Sequence, residues 1–188
     1  SEVILGCVTQ HGEQAGNIAK TSALFAGWPA SVSGLTVHRF CSSSIDAIAL
    51  ATLKVAAGQT EAIVAGGVEM MSRVPMLSDA ARVFSDPAYA VQHQMLLMGS
   101  GADLIATRIG ANREDCDAVA LQSQQRAALA QQERRFQSII TIETPEGMIS
   151  EDECIRADMT AERLAKLPAA FAELGAAGAD QVQLQKFP

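Results

Sequence analysis

The residues of this chain whose types could do chemistry are few: four cysteines, three histidines and a run of serines. The cysteines, Cys7, Cys41, Cys116 and Cys154, are widely spaced and form no CxxC pair. His11, His38 and His93 stand at no metal-ligand spacing, so no metal site is expected. One cysteine has a chemically suggestive neighbourhood. In Thr36-Val37-His38-Arg39-Phe40-Cys41-Ser42-Ser43-Ser44-Ile45-Asp46-Ala47-Ile48 a short β-prone run ends on Cys41, three serines follow, and an apolar helix begins. Serine hydroxyls satisfy the orphan N–H groups of a helix start, so the serines predict an N-cap there. Cys41 then lies at or just before a helix N-terminus, where the dipole favours an anion. A thiolate is such an anion, and the setting makes a cysteine more nucleophilic at neutral pH. The competing reading of Cys41 is a small buried hydrophobe of the core.

The elements that must hold this turn are legible on both sides of it. Residues 3–8 read as a buried strand, 35–40 as a second, and 62–68 as a third. Between them, residues 17–26 read as a helix with Ile18, Ala19, Ser22, Phe25 and Ala26 along one face. Residues 43–57 read as a helix apolar nearly all round, which predicts burial on most sides. The β-α-β-α-β alternation with short links implies an α/β fold with a parallel sheet. Gly66-Gly67 ends the third strand, but no G-x-G-x-x-G follows any strand, so a Rossmann dinucleotide site has no support.

From Ser72 to Met98 the chain turns irregular, with Pro75, Pro87, Met76, Met95 and Met98. Residues 101–109 read as a short helix. Asn112 with Asp115 predicts a capping box for a helix over about 113–135. On that helix Cys116 falls on the expected packed face with Val119, Ala120, Ser123, Ala127 and Ala130, a structural position. Residues 138–143 read as a strand, 161–167 as a short helix, and 175–178 as a loop.

Composition bounds the rest. The 188 residues, 48% hydrophobic and poor in aromatics, suffice for a sizeable core. A net charge of −7 without a basic cluster argues against a nucleic-acid partner. No stretch reaches the ~18 consecutive apolar residues of a membrane span. Widely spaced cysteines at this length favour a reducing compartment, the cytoplasm, over a disulfide framework.

Several blocks together resemble the thiolases, of the acetyl-CoA acetyltransferase type. They are Val3-Ile4-Leu5-Gly6-Cys7-Val8-Thr9-Gln10, Val37-His38-Arg39-Phe40-Cys41-Ser42-Ser43, Ala65-Gly66-Gly67-Val68-Glu69-Met70-Met71-Ser72-Arg73-Val74-Pro75-Met76, and Met98-Gly99 before a helix. Leu164-Ala165-Lys166-Leu167, with Phe171 just after, is similar to a further family segment. The resemblance implies a thiolase-like α/β fold. Residues 1–71 would form an incomplete amino-terminal core and 72–168 mostly a large inserted loop domain covering coenzyme A, with 138–143 a candidate strand returning to the sheet. Residues 169–188 would connect to a carboxy-terminal half, so the sequence reads as a partial subunit.

The resemblance also implies the chemistry. Cys41 would take the acyl group of an acyl-CoA as a thioester. It would then pass that group to CoA, in thiolysis of a 3-ketoacyl-CoA, or to an acetyl-CoA carbanion in the reverse condensation. Met98 would lie beside the acyl group and Arg156 would contact the nucleotide end of CoA. Coenzyme A and acyl-CoA enter as substrate, with no covalently bound cofactor, and a homodimer or homotetramer is implied. The chain departs from the family at several places. His38, Ser44 and Met70 replace a usual asparagine, glycine and serine, Ser44 being placed to crowd the thioester. The Gly-His-Pro and Cys-x-Gly settings of the family's other catalytic groups do not occur. His38, three residues before Cys41, points away from it if the strand stays regular. Two other readings stay open. One is a non-catalytic thiolase-like protein that binds acyl-CoA or lipid, and the other is a ketoacyl synthase served by an acyl-carrier protein.

Overall fold

A computed structural model describes residues 1–95 and 97–187. The chain divides into two compact units, Ser1–Asp86 and a second beginning at Pro87. Residues 72–86, assigned above to the loop domain, therefore cluster with the first unit. Val74 is buried there and Arg73 pairs with Glu13 at 2.8 Å.

The first unit is built on β1 (Glu2–Gly6), α1 (Ile18–Phe25), β2 (Ser33–Val37), α2 (Ser43–Ala56) and β3 (Ile63–Gly67). The strands run parallel in the order β2-β1-β3, with Ile4 level with Leu35 and with Ala65. β1 is central, and alternation along it sends its side chains to opposite faces of the sheet. Val3 and Leu5 pack with Ala19, Ala23 and Val32 on the α1 side. Ile4 packs with Ala47 and Ala51 of α2, with Leu35, Val37, Ile63 and Ala65 around them. The result is helix, sheet, helix, the arrangement that parallel strands with short helical crossovers require. Alanines at the contacts let both helices lie close to the strands. Glu2 and Lys54 form an ion pair on the α2 side of the sheet.

Two helix faces differ from those the periodicity predicts. On α1 the buried residues are Ala19 and Ala23, and Phe25 is 97% exposed. The cause is Asn17, a left-handed N-cap with φ 59°. Its side chain accepts from Lys20 N and from Thr36 Oγ1 and donates to the Gly34 carbonyl at 2.8 Å. Those bonds fix the rotation of α1 against β2 and leave Phe25 outside. On α2 only Ser43, Ala47 and Ala51 are buried, while Ile45, Ile48 and Leu53 are exposed. α2 is covered by the sheet on one side alone within this unit, so an all-round apolar sequence is not matched by all-round burial.

The second unit carries α5 (Met98–Arg108), α6 (Arg113–Gln132), the strands β4 (Ile142–Thr144) and β5 (Gly147–Ile149), and α7 (Ala161–Ala165). Short helices α3 (Arg82–Ser85) and α4 (Pro87–Gln92) flank the division between units. The capping box at Asn112 and Asp115 forms as expected. Arg113 at the start of α6 donates to the carbonyls of Leu164 and Leu167, tying α7 to α6. No residue of α6 is buried, so Cys116 and Val119 are exposed rather than packed. The strand expected over 138–143 forms only at its end. There β4 pairs antiparallel with β5 across Pro145-Glu146, Gly147 taking φ 134°. Among the described residues this hairpin is a separate two-stranded sheet. The expected loop at 175–178 is helical instead. α8 (Ala172–Leu174), a π-turn (Gly175–Ala179) and α9 (Asp180–Lys186) run on, broken only at Gly178, φ 135°. Burial of Val182 and a bond from Gln183 Nε2 to the Ser100 carbonyl hold that tail as a helix.

Candidate active site

Cys41 is exposed and sits immediately before Ser42, the N-cap of α2. The core reading of this cysteine is thereby set aside. The strand expected to run through residue 40 stops at Val37, so side-chain alternation does not carry from His38 to Cys41. The backbone instead turns sharply. Phe40 has φ 45°, a left-handed conformation that costs a non-glycine residue roughly 1–3 kcal/mol. Its ring meets His38 edge-on at 4.8 Å and Phe84 at 5.9 Å. His38 is thus engaged with a ring rather than poised as a base.

The serines act differently from the expected caps. Ser42 makes no side-chain capping bond. Its N–H and that of Ser43 donate to the carbonyls of Arg39 and Phe40, closing the turn at 3.0 Å each. Ser43 is buried, and its hydroxyl accepts from Arg39 N at 2.9 Å and donates to the Phe40 carbonyl at 2.6 Å. Arg39 is further tied to Asp46, one turn into α2, at 2.8 Å. No side-chain cap lies on the N-terminus of α2, and Asp46 is the acidic residue of its first turn.

Two glycines make room for this arrangement. A Cβ on Gly6 would lie 2.5 Å from backbone atoms of Ser43 and Ser44. A Cβ on Gly67, level with Gly6 in the sheet, would lie 2.0 Å from Ser44 Oγ. Ser44 therefore directs its hydroxyl against the β3 backbone, into space that Gly67 leaves. That is where its extra side chain is accommodated.

Beyond the strand ends lies a polar lock that the sequence reading missed. Glu69 accepts from the amides of Val8 and Thr9, the latter at 3.0 Å, and from Gln14 Nε2 at 3.2 Å. Gln14, itself buried, donates also to the Thr9 carbonyl and accepts from Met70 N. This joins the loop after β1 to the segment after β3. Burial pushes the Glu69 carboxyl upward, but the Thr9 and Val8 amides, Gln14 and Cys7 outweigh it and hold the group below its ordinary range. Cys7 lies under the lock, 1% exposed, its thiol pushed up to about 11 by burial first and then by the charge of Glu69. Cys7 is thus kept as a neutral thiol, the opposite of a nucleophile. The one sequence signal for this lock was a glutamine in a glycine-rich loop facing a glutamate two residues past a Gly-Gly strand end.

The lock gives a pH-dependent expectation. A carboxyl lowered by folding adds stability above its unfolded value of 4.5, and that stability is lost as pH falls through the lowered value. Glu69→Ala should lower stability at neutral pH by about 1 kcal/mol, since three donors lose a charged acceptor whose exposure to water screens it. The gap from wild type in urea midpoint should close as acid protonates Glu69. A gap that persists unchanged at acid pH would show that the carboxylate is not what holds the two loops.

Met98 and Arg156 belong to the second unit. Met98 opens α5 and is 84% exposed. Phe171 lies over the next residue, with ring atoms 2.2 Å from where a Cβ on Gly99 would stand. Arg156 is exposed, and its N–H donates to Gln124 Oε1 of α6 at 2.7 Å, which positions the loop that bears it.

These features can be set beside known proteins. A family model described as Thiolase, N-terminal domain, matches residues 1–182. A 3-oxoadipyl-CoA/3-oxo-5,6-dehydrosuberyl-CoA thiolase of Escherichia coli (strain K12) is 37% identical, covering 90% of this chain and 48% of its own. A 3-ketoacyl-CoA thiolase of Bacillus subtilis (strain 168) is 35% identical over 90% of this chain and 47% of its own. Among solved structures, that of the Bacillus anthracis acetyl-CoA acetyltransferase superposes with a TM-score of 0.63 at 36% identity, over 88% of this chain and 46% of that one. The chain spans about half the length of the curated relatives it matches.

Proposed function

The chain belongs to the thiolase family, matching its amino-terminal domain, and from that membership we propose that it carries the acyl-accepting nucleophile, Cys41, of an acyl-CoA C-acyltransferase. The observation that carries the reading is the exposed Cys41 on a tightly bonded turn at the uncapped N-terminus of α2. In the acylation step Cys41 Sγ bonds to the acyl carbon of an acyl-CoA and the bond from that carbon to the CoA sulfur breaks. CoA leaves as the thiol, with the proton that Cys41 gives up. In condensation the acyl group then passes from Cys41 to the carbanion of a second acetyl-CoA. In thiolysis Cys41 Sγ instead bonds to the C3 carbonyl carbon of a 3-ketoacyl-CoA and the C2–C3 bond breaks. C2 takes up the proton that Cys41 gives up and leaves as acetyl-CoA, and the acyl group passes from Cys41 to the thiol of another CoA. The α2 N-terminus favours the oxyanion that forms during attack.

Met98 is proposed to line the acyl group, its flexible thioether suiting apolar chains of varied shape. Arg156 is proposed to hold the nucleotide end of CoA, since a guanidinium pairs with phosphate and stacks on a base. A homodimer or homotetramer in the cytoplasm is the proposed setting. The substrates in the relatives' names are 3-ketoacyl and 3-oxoadipyl thioesters, and a 3-ketoacyl-CoA is the proposed class here.

Incubation with acetyl-CoA followed by intact-mass and peptide mass spectrometry tests this. One acetyl group on the peptide holding Cys41 is expected. Acyl-CoA bound, by calorimetry, with no adduct on any cysteine would overturn the assignment. It would favour the second reading, a thiolase-like acyl-CoA or lipid-binding protein.

A further inference from the structure

We propose that Ser43 is a positioning residue for Cys41, its hydroxyl acting as a latch that holds the strained turn in which the cysteine is presented. This rests on the reading of Cys41 as the nucleophile. Ser43 is only 3% exposed, yet it caps nothing in α2. Its Oγ reaches back across Cys41 and bonds the two residues before it, accepting from Arg39 N and donating to the Phe40 carbonyl. Both atoms flank the one backbone position in this turn that is unfavourable, Phe40 at φ 45°. Phenylalanine does not hold that conformation unaided, because its Cβ crowds the backbone there. The neighbouring rings of His38 and Phe84 restrain the Phe40 side chain, and among the described residues the carbonyl is bonded by Ser43 alone, through its hydroxyl and its N–H.

The orientation of the Cys41 side chain follows directly from the Phe40 dihedrals, since the two residues are joined. If Phe40 relaxes toward φ < 0, the thiol moves from the position in which the turn presents it. Ser43 itself is held from below by the sheet, since its carbonyl carbon and Cβ lie against Gly6. The latch therefore refers the cysteine to β1, the central and most buried strand.

The test is the rate of alkylation of each cysteine by iodoacetamide, resolved by peptide mass spectrometry, in wild type and Ser43→Ala. Alanine keeps the Cβ and favours a helix start no less than serine, so the fold is expected to persist, with water replacing the lost bonds at exposed Arg39. Cys41 alkylation should fall roughly 10- to 100-fold, the scale on which small misplacements of a reacting group act. Exposed Cys116 and Cys154 should react unchanged, and buried Cys7 should stay protected. In a Phe40→Asn background, where the side chain tolerates the left-handed region, the further effect of Ser43→Ala should shrink to within about threefold.

Equal Cys41 rates in wild type and Ser43→Ala overturn the latch, whatever acetyl-CoA does. So does an equal loss in both backgrounds, or a change in all four cysteines, which would mark general loosening. Failure of acetylation with the alkylation pattern intact would instead count against the proposed function and leave the latch standing.

Discussion

Cys41→Ala is expected to abolish acetyl transfer from acetyl-CoA to the protein while leaving acyl-CoA binding in place. The three other cysteines cannot substitute. Cys7 is buried under Glu69 with its thiol pushed up to about 11, so almost none of it is thiolate at neutral pH. Cys116 lies in the first turn of α6, an end already closed by the Asn112–Asp115 capping box and flanked by Glu114, and Cys154 lies in the loop before Arg156, so neither shares the turn that presents Cys41. Loss of a covalent nucleophile typically lowers turnover by roughly 10⁴-fold or more, because the whole two-step route is lost rather than one supporting contact. Release of free CoA thiol should therefore fall to background in the variant. Calorimetric affinity for CoA should change by less than about threefold, because the proposed binding groups, Met98 and Arg156, are untouched. Thiol release that persists in Cys41→Ala would place the acyl group elsewhere. Affinity lost together with the adduct would mean that Cys41 shapes the site instead of reacting in it.

The second large effect is expected at Gly6→Ala. Gly6 has an ordinary negative φ, so its backbone would accept any residue. The obstacle is space. The added Cβ would fall 2.5 Å from Ser43 C and Ser44 N, backbone atoms of a helix that cannot move a side chain aside. Either α2 tilts off the sheet at its N-terminus or β1 shifts against both its neighbours, and each opens the cluster of Ile4, Ala47 and Ala51. A loss of about 3 kcal/mol is expected, at the upper end for overpacking. Gly66→Ala is the control. One residue before the equivalent position on β3, its Cβ would meet only Leu5 Cδ2, at 3.8 Å. That change should lie within about 0.5 kcal/mol of wild type, the loss of chain entropy on folding being smaller for alanine. Urea midpoints separate the two, and similar midpoints for Gly6→Ala and Gly66→Ala would refute close packing of α2 on Gly6. Acylation of whatever Gly6→Ala remains folded should also fall, because the same contact seats Ser43 under the cysteine turn.

Much of the first unit was legible because its pattern is local. Short β-branched runs separated by helical periods and glycines specify strand, helix, strand in order, and parallel pairing follows from connections of that length. The capping boundary at Asn112 was legible for the same reason, being set by side chains within three residues of the bond they make. Faces and ends were less so. Periodicity placed Phe25 on the inner face of α1, but Asn17, bonded to Gly34 and Thr36 across the sheet edge, turns the helix so that Ala19 and Ala23 face inward. Cys116 read as packed because α6 has small residues at helical spacing, yet spacing carries no information on whether anything covers them. The 175–178 stretch, rich in glycine and alanine, read as a loop, and became helical once Val182 and Gln183 docked.

The sequence by itself determined that this is an α/β chain of the thiolase family with a cysteine at a strand-to-helix turn. Residue type and short-range order are enough for each of those statements. Only the tertiary structure decided how the turn is held. Which of three adjacent serines is buried depends on where Gly6 and Gly67 fall in the sheet register, and register is here a relation between strands about sixty residues apart. The Glu69 lock is of the same kind, a carboxylate meeting amides some sixty positions earlier in the chain because β1 and β3 end side by side. Hydrogen bonds require positions correct to a fraction of an ångström. A pattern of residue types sets the period of an element, but only the packed neighbours set its rotation and its height.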